Sequence, residues 1–323
     1  MKKDRILIKL ENHEHITKEA LDLLYSEKYE LFFLENDNQI FNNKHAKQAK
    51  AILVRGAFIS KKTIKYMPNL KVIARVGVGI DNIDIDTATK TNIYVCNVPE
   101  ANFISVAEHV LSMILTLSHR LIPGNTSIRE ELFDARHQFI GTELMGKTIG
   151  IIGFGKIGKM LAQICVYGFN MNVLVYDPFI EDSNLLKVQL LNSPEAIYTN
   201  SDFITLHLPY TSELHHFIGE KELKKMKKTA YIINCARGGL IDEVALSKSI
   251  RNGDIAGAGI DVYEQEPPPK NHVLWDLDEV IVTPHMGAST SESLSRMSLG
   301  AVEEIIRVLK NKKPKNALNF NDL

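Results

Sequence analysis

Three side chains, far apart along the chain, are of the types that move a proton beside a bound anion. Arg237 lies in the Gly-rich run NCARGGLID (residues 234–242), Glu266 precedes three prolines in IDVYEQEPPP, and His285 follows Pro284 in VTPHMGAST. A guanidinium grips a carboxylate through two parallel hydrogen bonds. An imidazole takes a hydroxyl proton near neutral pH, and a neighbouring carboxylate stabilises its charged form. Taken singly, these residues read equally well as a surface cap, a loop charge and a loop histidine. Their positions join them, because each comes just after a short β-branched run and so belongs on a carboxyl-end loop of one sheet.

A second constellation says what that sheet could hold. Gly153-Phe154-Gly155-Lys156-Ile157-Gly158 follows the run TIGII and opens the helical stretch KIGKMLAQICVYG. In such a turn the first glycine permits the tight bend, the second lets backbone approach a pyrophosphate and the third lets helix and strand pack closely. The N–H groups of the helix then meet the phosphate charge. The next β-branched run ends at Asp177, 19 residues after Gly158, where a carboxylate accepts hydrogen bonds from an adenosine ribose and repels a 2'-phosphate. The pattern points to NAD rather than NADP as cofactor. A nicotinamide site needs an anchor for its substrate and a proton acceptor beside the reacting carbon, the roles open to Arg237 and His285. Gly77-Val78-Gly79 has no third glycine and is not read as a dinucleotide loop.

The elements that must position these groups are legible as two series of short β-branched runs alternating with helix-length amphipathic segments. The first begins with DRILIKL and continues through YELFFL, AILV, VIARV and IYVC; the second comprises TIGIIG, NVLVYD, FITLHL, AYIINC, IAGAGIDV and VIVTPH. That rhythm predicts an α/β protein with two doubly wound parallel sheets. SVAEHVLSMILTLSHR (residues 105–120) reads as a long helix buried on most sides, and GAVEEIIRVLKNKK as a final helix returning to the first unit. The expected arrangement is a dinucleotide-binding Rossmann domain, 102–292, inserted into a flavodoxin-like substrate domain, 1–101 and 293–323. Ligands of such sheets bind outside the carboxyl ends of the strands, so a cleft between the two is the expected site.

Composition narrows the alternatives. The 323 residues are 45% hydrophobic and 24% charged, which excludes a disordered chain. Against 39 Asp+Glu, 38 Lys+Arg give a net charge of -1, so there is no global attraction for nucleic acid or an anionic membrane. Three cysteines without a CxxC predict neither a disulfide framework nor a zinc knuckle, and a cytoplasmic location is expected. No stretch reaches the roughly 18 apolar residues of a membrane span. The histidines show no HExxH or similar spacing, and no metal is expected. His109, inside the long helix, reads as structural. Cys235, beside Arg237, reads either as an oxidation-sensitive thiol or as an inert buried one.

In RVGVGIDNID (75–84), NVPEANFISVAEHVL (97–111), ELMGKTIGIIGFGKIG (143–158), NCARGGLIDEVAL (234–246), GAGIDVYEQEP (257–267) and TPHMGAST (283–290), the chain resembles the D-isomer-specific 2-hydroxyacid dehydrogenases over nearly its whole length. The resemblance implies reversible NAD-linked oxidation of a D-2-hydroxy acid. Arg237 would bind the substrate's carboxylate and carbonyl oxygen, His285 would be the acid/base, and Glu266 would orient and charge it. Gly153, Gly155, Lys156, Ile157, Gly158, Asp177, Leu208, Cys235, Ala236 and Arg237 would line the cofactor, with Asp261 at the nicotinamide amide and Val78 nearby. Backbone of Val76, Gly77, Val78 and Gly79 would help hold the carboxylate, and a homodimer built through the nucleotide domains is implied.

The substrate is read from charge. Between residues 38 and 80 the chain has nine basic residues and no acidic one. The lysines read as a solvated face. Arg55 and Arg75, however, end the runs AILVRG and VIARVG, where they could hold an anion beyond the reacting carbon. These surroundings, and RHQFIGTEL (136–144), resemble those of 3-phosphoglycerate dehydrogenases, which makes 3-phosphoglycerate-like substrates the first expectation and hydroxypyruvate, glyoxylate or another 2-oxo acid the alternative. Asp134 stands where those enzymes commonly carry Trp, and regulation by serine through an appended domain is not expected. A non-catalytic NAD-sensing corepressor is the reading from a different class, disfavoured by the complete Arg, Glu, His set. Formate dehydrogenases carry Gln at the position of Glu266 and are disfavoured by it.

Overall fold

The computed structural model describes residues 3–10, 15–35, 37–182 and 187–320. They fall into two compact units, Met1–Asn102 with Ser289–Leu323, and Phe103–Ala288. The first unit is built on β1 (Arg5–Lys9), β2 (Glu30–Leu34), β3 (Ala49–Val54), β4 (Val72–Arg75) and β5 (Tyr94–Cys96), paired in parallel in the order β2-β1-β3-β4-β5. Ile6, Leu7 and Ile8 of β1 and Ile52, Leu53 and Val54 of β3 are fully buried, the continuous apolar runs of strands covered on both faces. Parallel neighbours cannot be joined by tight turns, and the helices Lys18–Ser26, Lys61–Tyr66 and Ile85–Lys90 carry the crossovers. This is the flavodoxin-like order, with its reversal between β1 and β3.

The final helix, Ser291–Leu309, belongs to the same unit and packs on β3, β4 and the helix Lys18–Ser26. It starts nine residues before the run GAVEEIIRVL, because Thr290 accepts the Ser293 N–H at 3.1 Å as an N-cap and Met297 extends the buried stripe.

In the second unit seven strands lie in one parallel sheet: β6 (Thr148–Ile152), β7 (Asn172–Tyr176), β8 (Val188–Leu191), β9 (Phe203–Leu206), β10 (Tyr231–Asn234), β11 (Gly257–Ile260) and β12 (Val280–Val282). Their order is β12-β11-β10-β9-β6-β7-β8. Numbered from β6, this is the dinucleotide-fold order 3-2-1-4-5-6 with one more strand beyond the sixth, and the order reverses between β6 and β9. Strand β8 was not among the runs read from sequence: VQLL is an edge strand with no fully buried residue, so it lacks the apolar signature of the central strands. The helix Phe103–Ser118 packs against the helix Lys156–Phe169, β10 and β11, leaving only a stripe of Ile104, Glu108 and Ser112 exposed.

Candidate active site

At the carboxyl end of β6 the three glycines do different things. Gly153 has φ +93°, and a Cβ there would lie 2.5 Å from the His207 carbonyl oxygen, so the turn is open to glycine alone. A Cβ on Gly158 would run into the Gly153 carbonyl, which fixes how closely the helix Lys156–Phe169 approaches the strand. Gly155 is the opposite case: a Cβ there would meet nothing within 4 Å, so this glycine leaves space in front of the helix N-terminus rather than filling it. Asp177, just past β7, bonds the turn directly: Oδ2 accepts the Phe154 N–H at 2.7 Å and Oδ1 the Phe179 N–H at 2.9 Å. Each oxygen keeps accepting capacity for a ribose hydroxyl. Exposed Lys156 and half-buried Ile157 begin the helix, and half-buried Leu208 follows β9 across the switch point. A free cradle before a helix N-terminus and an oriented carboxylate at the next strand end fit a dinucleotide.

The chemistry-bearing residues converge at the carboxyl ends of β10, β11 and β12 in the same unit. His285 Nδ1 meets Glu266 Oε2 at 2.7 Å, and the second oxygen, Oε1, accepts the Tyr263 N–H at 3.1 Å. With Nδ1 engaged by the carboxylate, Nε2 is the nitrogen left to exchange a proton with a ligand. Arg237 follows β10 on a turn braced by buried Asn234, whose Oδ1 accepts the Ala236 N–H at 3.0 Å and whose Nδ2 donates to the Arg237 carbonyl at 2.8 Å. The Arg237 Nη1 itself donates to the Ala236 carbonyl at 2.7 Å. Next in sequence, Gly238 packs so tightly on Tyr263 and Glu264 that a Cβ would overlap their backbone. That approach brings the Arg237 turn against the segment carrying Glu266.

His285 is held in the left-handed region, φ +51°, an unusual conformation for a residue with a Cβ. Asp261 imposes it. The His285 N–H donates to the Asp261 carbonyl at 2.8 Å, while the Asp261 carboxylate accepts the N–H groups of Met286 and Gly287, each at 2.8 Å, and the Thr283 hydroxyl at 2.6 Å. His109 Nε2 lies 3.3 Å from Thr283 Oγ1 and 3.5 Å from Asp261 Oδ1, and the Tyr263 hydroxyl donates to the Thr283 carbonyl at 2.9 Å.

The same contacts set the charges. Burial pushes the Glu266 carboxyl up, but the His285 hydrogen bond and charge, the Tyr263 N–H and the Arg237 charge together hold it below its ordinary value. Asp261 follows the same balance: burial raises it, and the hydrogen bonds from His109, Thr283, Met286 and Gly287 outweigh burial. Both carboxylates are anions at neutral pH, one facing an imidazole and one holding its own loop. For Cys235 burial acts first and the Asp261 charge adds to it, driving the thiol well above its ordinary value; its Sγ lies 3.7 Å from Met113 Sδ. Unlike buried Cys96 and Cys165, Cys235 is only half-buried, so its surroundings raise the thiol without closing it off.

In the first unit, Arg55 follows β3 and half-buried Arg75 ends β4. The Arg75 guanidinium turns back over its own loop, occupying the space where a Gly77 side chain would stand (φ +140°) and donating to the Val76 carbonyl at 3.0 Å. The Val76 and Gly77 N–H groups bond the Val54 and Arg75 carbonyls at 2.7 and 3.0 Å, and Asn97 Nδ2 donates to the Val78 carbonyl at 2.7 Å; Gly79 follows. Two residues absent from the sequence reading fix the Arg55 loop. Buried Lys9 donates to the Phe58 carbonyl at 2.7 Å, and Asn82 Nδ2 to the Arg55 and Ala57 carbonyls at 3.1 and 2.7 Å.

Asn234, Tyr263, Thr283 and His109 were likewise not read as site residues. Asn234 and Tyr263 stand one to three positions from residues that were, so a search for polar side chains flanking each loop would have found them. His109, read only as structural, reaches its partners across 174 positions of sequence to Thr283, and no local pattern announces it.

Comparison with known proteins bears on this geometry. Residues 111–287 match the family described as D-isomer specific 2-hydroxyacid dehydrogenase, NAD binding domain. A D-3-phosphoglycerate dehydrogenase of Methanocaldococcus jannaschii is 41% identical over 280 residues, covering 86% of this chain and 53% of that protein. The chain spans about half the length of the curated relatives it matches. Among solved structures, the TT0316 protein of Thermus thermophilus superposes with a TM-score of 0.89 at 29% identity, covering 97% of this chain and 99% of that one. A glyoxylate reductase of Paecilomyes thermophila gives 0.85 at 26%, covering 98% and 99%.

Proposed function

Since the chain belongs to the D-isomer-specific 2-hydroxyacid dehydrogenase family, we propose that it is an NAD-dependent dehydrogenase interconverting a D-2-hydroxy acid and its 2-oxo acid, with 3-phosphoglycerate-like substrates first. The observation that carries this reading is the Glu266 Oε2 to His285 Nδ1 contact at 2.7 Å beside the Arg237 turn. The second unit is the dinucleotide-binding domain and the first is the substrate domain. Gly153, Gly155, Lys156, Ile157 and Gly158 take the pyrophosphate and Asp177 the ribose; Leu208 and the 235–237 turn line the remainder. When bound, the nicotinamide supplies the hydride acceptor or donor.

The chain's own groups do the rest. Arg237 pairs with the substrate carboxylate and fixes carbon 2 in position. In the oxidation direction His285 Nε2 takes the hydroxyl proton, and the Glu266 anion stabilises the imidazolium that results; in reduction the same nitrogen returns the proton to the carbonyl oxygen. The Asp261 carboxylate holds the 283–287 loop, and with it His285, through Thr283, Met286 and Gly287, while Oδ2, engaged by the Gly287 N–H, keeps accepting capacity for the nicotinamide amide. Because the Val76 and Gly77 amides already bond within the fold, Val78 and Gly79 are the donors of that stretch for a carboxylate. Arg55 is the group of the first unit offered to a second anionic group, while Arg75 shapes its own loop.

A homodimer fits the second unit's surface. Leu121, Ile122, Ile128, Leu132, Phe133, Ile140 and Met145 are each more than half exposed and fall within 25 positions of one another, a density of bare apolar side chains that a second copy would cover. No helix among the described residues is long and apolar enough to cross a membrane, and the three free cysteines accord with a reducing cytoplasm.

The test is NADH oxidation against 3-phosphohydroxypyruvate, hydroxypyruvate, glyoxylate, pyruvate and branched 2-oxo acids. The proposal expects the phosphorylated acid to give the highest kcat/KM and Arg237→Ala to lower kcat/KM for every acid of the panel, since all share the carboxylate it binds. A clear preference for glyoxylate or hydroxypyruvate would support the second reading, which Asp134 favours and which the likeness to the Paecilomyes thermophila glyoxylate reductase makes concrete. No turnover of any acid by a folded chain that binds NADH would refute both.

A further inference from the structure

Outside the residues assigned above, the second unit gathers a second set of imidazoles and carboxylates. His215 and His216 follow a short 3-10 turn, Ser212–Leu214, and their rings stack with centroids 3.8 Å apart. His216 is held at φ +53° with its N–H on the Gly239 carbonyl at 2.8 Å. Glu264, from the segment after β11, presents Oε1 in direct contact with His216 Nε2 and 4.0 Å from His215 Nδ1. On the other side Asp242 Oδ2 lies 3.8 Å from His216 Nδ1. The coordinating atoms of His215, His216 and Glu264 all fall within 4.8 Å of one another.

We infer that His215, His216 and Glu264, with Asp242 behind them, form a binding site for one divalent transition-metal ion of the zinc class. Two imidazole nitrogens and a carboxylate oxygen are the donor set such ions prefer, whereas Mg2+ and Ca2+ take all-oxygen sites. Bonds of ~2.0–2.1 Å in a tetrahedral site put ligand atoms about 3.3 Å apart, so the direct contact between His216 and Glu264 must open while His215 Nδ1, now 4.0 Å from Glu264 Oε1, moves in by less than about 1 Å. Its side chains, about a third to a half exposed, can turn that far and are open to solvent.

The backbones beneath them, by contrast, are fixed. Besides the His216 bond to Gly239, the Glu264 N–H donates to Glu243 Oε1 at 3.0 Å, and Asp242 Oδ1 caps the helix Glu243–Arg251 through the Val244 and Ala245 N–H groups at 3.0 and 2.9 Å. The ion therefore exchanges for the contact between His216 and Glu264 and for the Tyr210 hydroxyl on His215 Nδ1, now at 3.2 Å, without rearranging the chain. It ties the 215–216 segment to Glu264, two residues before Glu266.

The test is titration of the chelator-stripped full chain with Zn2+ by calorimetry and with Co2+ by visible absorption. The inference expects one ion per chain, a tetrahedral Co2+ spectrum, and no comparable binding of Mg2+ or Ca2+. Losing a ligand should exceed the ~10–100-fold that losing an outer partner of a metal site costs, so His215→Gln, His216→Gln and Glu264→Gln should each weaken binding at least ~10-fold. His285→Gln should leave it unchanged. No saturable binding by the unsubstituted chain would overturn the inference. So would binding unaffected by the folded His215→Gln and His216→Gln variants, or lost in His285→Gln, which would place the ion on the Glu266–His285 pair instead.

Discussion

The two halves of the second sheet's carboxyl edge build their sites from opposite materials. At β6 and β7 the proposed recognition rests on what is missing, the side chains of Gly153, Gly155 and Gly158, with Asp177 bonded to the turn. At β10 to β12 it rests on side chains, Arg237, Glu266 and His285, each on a loop that other side chains brace. Backbone recognition yields binding that is nearly the same in ground and transition states; a charged acid/base pair acts on the step in which a proton moves. Substitutions at the two ends should therefore fail in different ways.

The largest effect belongs to His285→Gln, expected to lower kcat by ~10²–10⁴-fold, the usual contribution of a positioned general base, with little change in the NADH dissociation constant measured by fluorescence. Gly155→Val is its mirror image. Filling the space before the helix N-terminus should raise the KM for NAD by about tenfold or more, near 1.4 kcal/mol of binding, with kcat at saturating cofactor preserved. Equal loss of kcat in the two variants would dissolve the contrast. Asp177→Ala should reduce the preference for NAD over NADP by about tenfold, the worth of a hydrogen bond to a charged group, read as the ratio of the two kcat/KM values.

The smallest effect is on stability and depends on pH. The Glu266 carboxyl titrates below its ordinary value in the folded chain, so the stabilisation it contributes is present above the unfolded carboxylate range and is lost as pH falls through the lowered value. The Tm difference between the unsubstituted chain and Glu266→Gln should accordingly be larger at pH 7 than at pH 3.5; a difference independent of pH would deny the carboxylate its charge in the native state.

Much of this was legible in the sequence because parallel strands buried on both faces announce themselves as apolar runs. β1, β3, β6 and β10 do so, and the glycine turn after β6 needs only its own spacing to be recognised. β8 escaped because VQLL lies at an edge and is only partly buried. The groups that bear chemistry could be named, since Arg237, Glu266 and His285 lie in local runs of distinctive composition. The groups that brace them could not: that Asp261 also holds the 283–287 loop shows only in its oxygens on Met286, Gly287 and Thr283, and His109 acts across the whole unit. Lys9 is the sharpest case, a charged residue at the end of an apolar run that would be taken for the start of a solvated loop, yet it is buried against the Phe58 carbonyl.

The central claim is that Glu266 and His285 work as one acid/base unit, and the most direct measurement is a double-mutant cycle on kcat with Glu266→Gln, His285→Gln and the pair, at fixed pH and saturating NADH. If the carboxylate acts only through the imidazole, the double variant turns over no more slowly than His285→Gln alone. A double variant slower by the product of the two single losses would show that the two residues contribute independently, and would contradict the account.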